Sequence, residues 1–321
     1  MRKIKWGILG PGVIANTFAS DFQFVKNAEL VAVASRSSER AKLFANTYQI
    51  PKVYGSYSEL YADKDIDAIY VATPHNFHFD MCANALKAGK AVLCEKPITI
   101  NTKELEELIS IAEANNGYLV EGMWTYFLPS IQKAYSWFEN KKIGNLMHVK
   151  ADIGYRQPYD ITSRLFNPDL AGGVLLDMGI YNIAMAWLFT KQIPTNLHVL
   201  AEIAETGVDC DVQALFDYGN VKANLHTSFM CKLNNWTYVI GDEGYIAIHD
   251  FWRSKECFLY KNEKLIEHFV DQSKGIGFNY EIEKVSNDLL NNKKQSSIMP
   301  HTNSLAFQNL MTMVLNKIHK K

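Results

Sequence analysis

The stretch Ile4-Lys5-Trp6-Gly7-Ile8-Leu9-Gly10-Pro11-Gly12-Val13-Ile14-Ala15 decides the fold of the first part of the chain. Its first six residues form a short β-type run, and the next six carry the spacing G-x-G-x-x-A, after which Phe18 and Phe22 continue a helical pattern. Outside that setting the spacing would mark only a glycine-rich turn. Between a strand and a helix start it is the fingerprint of a dinucleotide site. Gly10 allows the tight turn, Gly12 lets the backbone approach a pyrophosphate, and Ala15 lets the helix pack closely on the strand. Val13 and Ile14 open the helix, whose free N–H groups and partial positive charge suit phosphate.

Outward from this unit the same grammar repeats. A second strand, Glu29 to Ser35, ends in Ser35-Arg36-Ser37, where an NAD-selective site usually carries an acidic residue for the ribose 2′-hydroxyl. Arginine there accommodates a 2′-phosphate, so Ser35 and Arg36 point to NADP, with NAD left possible if Arg36 is merely a solvated loop residue. The apolar run Asp67 to Ala72 leads into Thr73-Pro74-His75-Asn76-Phe77-His78, then a helix closing at Gly89. Thr73, Pro74, Asn76 and His78 therefore fall at the same sheet edge as Gly10 and are assigned to cofactor or site-wall roles. A histidine near a helix start is otherwise a cap or surface residue.

The run Ala91-Val92-Leu93 ends in Cys94-Glu95-Lys96-Pro97. An ammonium where a buried strand emerges is costly unless something uses it, and open α/β sheets place their ligands at such ends. Lys96 reads as chemistry, Glu95 as a residue that fixes the lysine or the cofactor ribose, and Pro97 as a stiffener of the turn. Asn101 and Glu104 offer a capping box for the next helix, and Tyr118 to Gly122 gives one more strand. The expected first domain, residues 1–121, is thus an α/β Rossmann-type parallel sheet of about six strands.

From Met123 the rhythm changes. A helix is expected from Trp124 to about Asn140, an alternating strand over Leu146 to Tyr155, and a helix after Gly172-Gly173 running to Phe189. Strand-like stretches recur near 195–205, 208–216, 221–229, 236–240, 244–249 and 256–260, separated by turns such as Asp217-Tyr218-Gly219-Asn220. Residues 122–321 read as a substrate-binding and oligomerisation domain, α+β with a large, mostly antiparallel open sheet. Tyr280 to Leu290 and Ser304 to Ile318 close it, the C-terminal helix being able to pack back on the first domain.

Composition narrows the partner. With 321 residues, 48% hydrophobic and a net charge of −1, the chain has material for two cores but lacks the basic excess that nucleic acid or an anionic membrane demands. A small molecule fits better. The five cysteines are odd in number and without a close metal-ligand pair, so reduced thiols in a cytoplasmic protein are expected, with no metal. The N-terminus is charged and passes into a strand, unlike a signal peptide. The apolar run from Asp169 to Lys191 holds Asp177, which would cost roughly 2.5–3.5 kcal/mol at a membrane's centre, so a buried helix is expected.

Within that helix Asp177 and Tyr181 are four residues apart and share a face with Met185 and Leu188. A carboxylate and a phenol on an apolar face need partners, and Lys96 is the candidate. A cation beside Tyr181 favours the phenolate; moving a phenol from about 10 towards 7 takes roughly 4 kcal/mol. The structural alternative, a paired carboxylate and a core tyrosine with a satisfied hydroxyl, stays open.

In combination GPGVIA, Ser35-Arg36, TPHNFH, CEKP and GGVLLDMGIY resemble the glucose–fructose oxidoreductase and inositol dehydrogenase superfamily over essentially the whole chain. EGMWTYFLP with GGVLLDMGIY is most similar to its dimeric dihydrodiol dehydrogenase and NADP-dependent xylose dehydrogenase branch. The resemblance implies an NADP-dependent dehydrogenase acting on a secondary carbinol or hemiacetal of a sugar, polyol or trans-dihydrodiol. It makes Lys96 the essential lysine, with Asp177 and Tyr181 completing the site. It places Trp124 and Phe127 near the site mouth and makes the open sheet a homodimer interface. Arg164, and among the aromatics Tyr155, Tyr159 and Phe166, are further candidates for substrate contact. Two other classes remain: a non-catalytic NAD(P)-binding regulator, which would have no reason to keep Lys96, Asp177 and Tyr181, and an NAD-dependent glycoside hydrolase with transient redox, against which Arg36 weighs.

Overall fold

A computed structural model describes residues 2–318 and divides the chain into two compact units. The first runs to Trp124 and takes in Lys274–Ser304; the second comprises Thr125–Ser273 and the chain from Leu305.

In the first unit the sequence alternates β1 (Ile4–Leu9), α1 (Val13–Asp21), β2 (Ala28–Ala34), α2 (Ser38–Tyr48), β3 (Lys52–Tyr54), α3 (Tyr57–Ala62), β4 (Ala68–Val71), α4 (His78–Lys87), β5 (Ala91–Glu95), α5 (Thr102–Ala114) and β6 (Leu119–Gly122). The strands lie in the order β3-β2-β1-β4-β5-β6, and every pair is parallel. β4 and β5 are buried at each position, which is why they read as continuous apolar runs. The order reverses between β1 and β4, the place where such sheets open a ligand crevice. β3 has only three half-buried residues and gives no sequence signal of its own.

The unit is completed by distant chain. The helix over Phe278–Leu290 packs on α1, β1 and β2 although the sequence places it in the second domain. Trp6 Nε1 donates to Ser286 Oγ at 3.0 Å and Tyr118 OH to Asp288 Oδ2 at 3.1 Å. Asp21, buried at the end of α1, accepts the amides of Ile276, Gly277 and Asn279 at 3.0, 2.9 and 3.1 Å, so its carboxylate organises the start of that helix.

The second unit holds α6 (Pro129–Glu139), β7 (Leu146–Gly154), α7 (Ile180–Thr190), β8 (Asn196–Ile203), β9 (Asp209–Asp217), β10 (Lys222–Ser228), β11 (Trp236–Gly241), β12 (Tyr245–His249), β13 (Glu256–Lys261) and β14 (Lys264–Val270). The remaining two helices of the chain are α8, the Phe278–Leu290 helix described above, and α9 (His301–Ile318). The eight strands run β14-β13-β12-β11-β7-β10-β9-β8, antiparallel except for β7 with β10. Alternation sets the faces: Val149, Ala151 and Ile153 of β7 are buried, while Lys150 between them is exposed. β14 escapes the sequence pattern because most of its residues are exposed and no clean alternation survives.

Two expected helices begin differently. The one expected from Trp124 is a 3₁₀ turn, Trp124–Phe127, followed by α6 with Pro129 at its first turn. The one expected after Gly172-Gly173 starts as a π-turn, Leu175–Gly179, and becomes α7. The segment Pro168–Thr190 is long and apolar enough to cross a membrane by composition, but 83% of its most apolar window is buried within the protein. It is a core element.

Asp21→Ala would leave three amides at the start of α8 without their acceptor and should lower stability by about 2–4 kcal/mol, as urea unfolding would measure.

Candidate active site

Gly10 ends β1 at φ +92, a conformation that side chains disfavour, and a Cβ there would lie 3.0 Å from the Ala72 carbonyl and 3.2 Å from Thr73 Cγ2. The turns after β1 and β4 are therefore in contact at the sheet's switch point. Gly12 caps α1 without any side-chain hydrogen bond, nothing lies within 4 Å of where its Cβ would be, and Val13 is 89% exposed. Open space in front of a bare helix N-terminus is what a pyrophosphate requires, so these residues fit a dinucleotide. Ile14 lies on the same first turn.

At the end of β2, buried Ser35 accepts the Ser37 amide with its hydroxyl at 3.1 Å, and Ser37 in turn caps α2. Arg36 is exposed, with its guanidinium 5.8 Å from the centre of the Phe77 ring. This contact draws the second and fourth turns together over the same edge.

Thr73, Pro74 and Asn76 sit in the turn after β4, half-buried. His78, expected in a cofactor or site-wall role, braces the backbone of two turns. It is fully buried, with Nδ1 2.8 Å from the Pro97 carbonyl and Nε2 2.7 Å from the Thr73 carbonyl. Burial, and behind it the Lys96 charge, holds its pKa below the ordinary value against the pull of the two carbonyls. The ring ties the turn after β4 to the turn after β5.

That second turn carries Glu95, buried and hydrogen-bonded by the Tyr70 hydroxyl, then half-buried Lys96, joined to Pro97 by a cis peptide bond. Asn101 caps α5 as expected, but Glu104 reaches back to the Ile100 amide at 3.5 Å. Two further carboxyls approach this end of the sheet, and the sequence pattern pointed to neither. Glu121, at the end of β6, accepts the Ile98 amide at 3.0 Å. Glu281 of α8 is wholly buried, and neither carboxyl oxygen has a hydrogen-bond partner among the described residues. Burial raises its pKa well above the carboxylate range, and Glu95 and Asp21 add to the shift. Glu121 was legible in principle, being a charged residue at the end of an apolar strand like Glu95. Glu281 lies in an amphipathic helix with nothing to mark it.

In the second unit Asp177 lies within the π-turn and Tyr181 one turn on, 8% exposed. π-turns are rare and concentrate at functional positions. This one starts where Asp209 Oδ2 accepts the Leu175 amide at 2.7 Å and where Gly173, at φ +119, leaves no room for a Cβ against Asp209. Arg164 donates to Asp177 Oδ1 at 2.9 Å, so it joins that carboxylate directly. Phe127 is buried. Trp124, in the first unit, is also nearly buried and stacks on Phe278 with ring centres 4.4 Å apart. Among the described residues no cluster of His, Cys, Asp or Glu could hold a metal.

A doubly wound sheet with a phosphate-accepting helix start at its switch point and a lysine at a neighbouring strand end fits an enzyme that uses a dinucleotide. A family model described as an oxidoreductase family with an NAD-binding Rossmann fold matches residues 4–123, and one for the GFO/IDH/MocA C-terminal domain matches residues 131–247. Trans-1,2-dihydrobenzene-1,2-diol dehydrogenase of Xenopus laevis is 34% identical over 324 residues, covering 98% of both chains. The Mus musculus protein of that name is 33% identical, covering 99% of this chain and 96% of its own. Among solved structures, the aldose-aldose oxidoreductase from Caulobacter crescentus, complexed with glycerol, superposes with a TM-score of 0.91 at 21% identity, over 99% of this chain and 98% of its own. A 3-ketoreductase from Actinomadura kijaniata, solved with NADP and TDP-benzene, gives 0.85 at 23%, over 98% of both chains. The chain belongs to the GFO/IDH/MocA oxidoreductase family, in its dihydrodiol dehydrogenase branch, and is an NAD(P)-dependent dehydrogenase.

The buried acid in α8 gives a signed pH test. Because the folded state keeps the Glu281 proton above the ordinary value of 4.5, stability is lost as pH rises from there. Glu281→Gln should therefore gain on the wild type with increasing pH, by up to roughly 1.4 kcal/mol per unit, as urea unfolding at a series of pH values would show.

Proposed function

We propose that the protein is an NADP-dependent dehydrogenase that exchanges a hydride with a secondary carbinol or hemiacetal carbon of a sugar, polyol or trans-dihydrodiol. Arg36 carries the cofactor choice. It stands where an NAD enzyme would place a carboxylate, and its contact with Phe77 holds the guanidinium at the edge where a 2′-phosphate would arrive. The 3-ketoreductase solved with NADP supports the same choice of cofactor, and the dihydrodiol dehydrogenase relatives support the substrate class.

When bound, the nicotinamide takes up or gives the hydride. Gly10 and Gly12 let the backbone come close to the pyrophosphate, and the Val13 and Ile14 end of α1 holds its charge. Ser35 and Arg36 take the 2′-phosphate, while Thr73, Pro74, Asn76 and Glu95 wall the nicotinamide end. Lys96 is assigned to the substrate oxygen, and Tyr181, as its phenolate, to removal of the hydroxyl proton. Asp177, held by Arg164, is assigned to orienting Tyr181, one turn on. Trp124 and Phe127 are assigned to the site mouth.

The outward face of the second unit's sheet carries Trp236 stacked near Tyr238, and Tyr245 stacked on Tyr260 at 4.7 Å. Leu215, Ile266 and Val270 are exposed on the same unit. We assign this surface to a second copy of the chain. The five free cysteines suit a cytoplasmic setting.

Lys96→Ala should leave NADP binding within a few-fold while turnover falls by about 10³ or more; survival within tenfold would remove the lysine from the mechanism. Arg36→Ala should weaken NADP binding about 10- to 100-fold, as calorimetric titration would measure, with NAD little changed. Equal losses for both cofactors would remove the 2′-phosphate assignment. A steady-state screen of aldoses, inositols and aromatic diols with both cofactors names the substrate.

A further inference from the structure

The peptide group between Pro97 and Ile98 is held at both ends. Its carbonyl faces His78 Nδ1 at 2.8 Å, and its N–H donates to Glu121 Oε1 at 3.0 Å. Both holding side chains are fully or almost fully buried, at 0 and 1% exposure. This is the peptide plane immediately after Lys96-Pro97, so holding it restrains the backbone next to the lysine. The backing is firm. β6 pairs with β5 through Glu121 opposite Cys94, and a Cβ on the adjoining Gly122 would lie only 3.1 Å from the Cys94 carbonyl. On its far side the turn is closed by Thr99 Oγ1 donating to the Asn101 carbonyl. Glu95 accepts the Tyr70 hydroxyl with its carboxylate.

We propose that Glu121 is a positioning residue for Lys96: with His78 it clamps the Pro97–Ile98 peptide, and its carboxyl supplies a charge behind the lysine. The assignment rests on the dehydrogenase function proposed above and adds a residue to it. The groups facing Glu121 are Lys96, Glu95 and Cys94 from β5 and its turn, and the Ser304 hydroxyl from α9; Lys96 also faces His78. Burial raises the Glu121 pKa to about 7, against the opposing pull of Ser304, the Ile98 amide and Lys96. The carboxyl therefore gains its charge across neutral pH. Once ionised it attracts the Lys96 ammonium, which favours the charged form of the lysine. A purely structural turn cap would have no such effect on the reaction.

Two variants separate the clamp from the charge. E121Q keeps an oxygen for the Ile98 amide but cannot ionise, whereas E121A loses both. For the cofactor-free protein, wild-type Glu121 loses stability as pH rises from its ordinary 4.5 to about 7, because the unfolded chain ionises first. The difference in Tm between E121Q and wild type should accordingly grow over that range and level off above it. In the enzyme, E121Q should move the alkaline limb of the kcat profile about half a pH unit or more towards lower pH, since the ammonium has lost one attracting charge. E121A should lower kcat tenfold or more at every pH, with the NADP dissociation constant, read by calorimetric titration, within about threefold of wild type. A flat Tm difference would show that Glu121 does not titrate near neutrality and would overturn its charge role. Superimposable pH profiles for E121Q and wild type would overturn its hold on Lys96, as would full kcat in E121A. A wild type active on none of the substrates screened would overturn the dehydrogenase reading, and with it the assignment to Lys96, while the Tm measurement would still report whether Glu121 titrates.

Discussion

Parallel strand pairing imposes one constraint on which the nucleotide-binding unit depends: all six strands release their chain at the same edge. That edge collects helix starts, turns and whatever polar residues follow each strand. Gly10, Arg36, Thr73 and Lys96 are far apart in sequence, yet each is the first or second residue beyond a strand. Desolvation makes the same edge electrostatically sensitive. A charge placed there is half in water and half against a core, so each neighbouring carboxyl must be hydrogen-bonded, neutralised or paired. Glu95 is hydrogen-bonded by a tyrosine, Glu121 by a backbone amide, and burial pushes the Glu281 pKa well above the carboxylate range.

Local signals made much of this legible. The run from Ile4 through Ala15 identifies the turn because glycine spacing and the switch from strand to helix are written in adjacent residues. β4 and β5 are legible because strands buried on both faces must be apolar throughout. Short or exposed strands are not, since β3 and β14 are held by their neighbours' hydrogen bonds more than by any pattern of their own. The π-turn at Leu175–Gly179 is equally silent, because apolar residues surround it whichever helical period is assumed. Asp177 and Tyr181 were found by their chemistry; the wider turn beneath them could not be.

The candidate site shows the same division. Most polar residues just beyond the strands were found, and carboxyls defined by their surroundings were missed: Asp209 under the π-turn, Glu121 at the end of β6 and Glu281 within α8. A supporting residue is defined by what it touches across the fold, and sequence separation hides that. His78 was noticed as a polar residue near the edge, and its bridging of two turns shows only in the fold.

The bonds from Asp21 to the start of α8 and from Trp6 to Ser286 bridge more than 250 residues of chain. A ribosome that has finished the parallel sheet has not yet made the helix that covers β1 and β2. Until residues 274–304 emerge, the nascent chain carries an uncovered sheet face, and the second unit is synthesised while the first still waits for its last layer. The order of synthesis and the order of assembly thus differ in this protein, and a chain truncated after Trp124 would lack part of its own core.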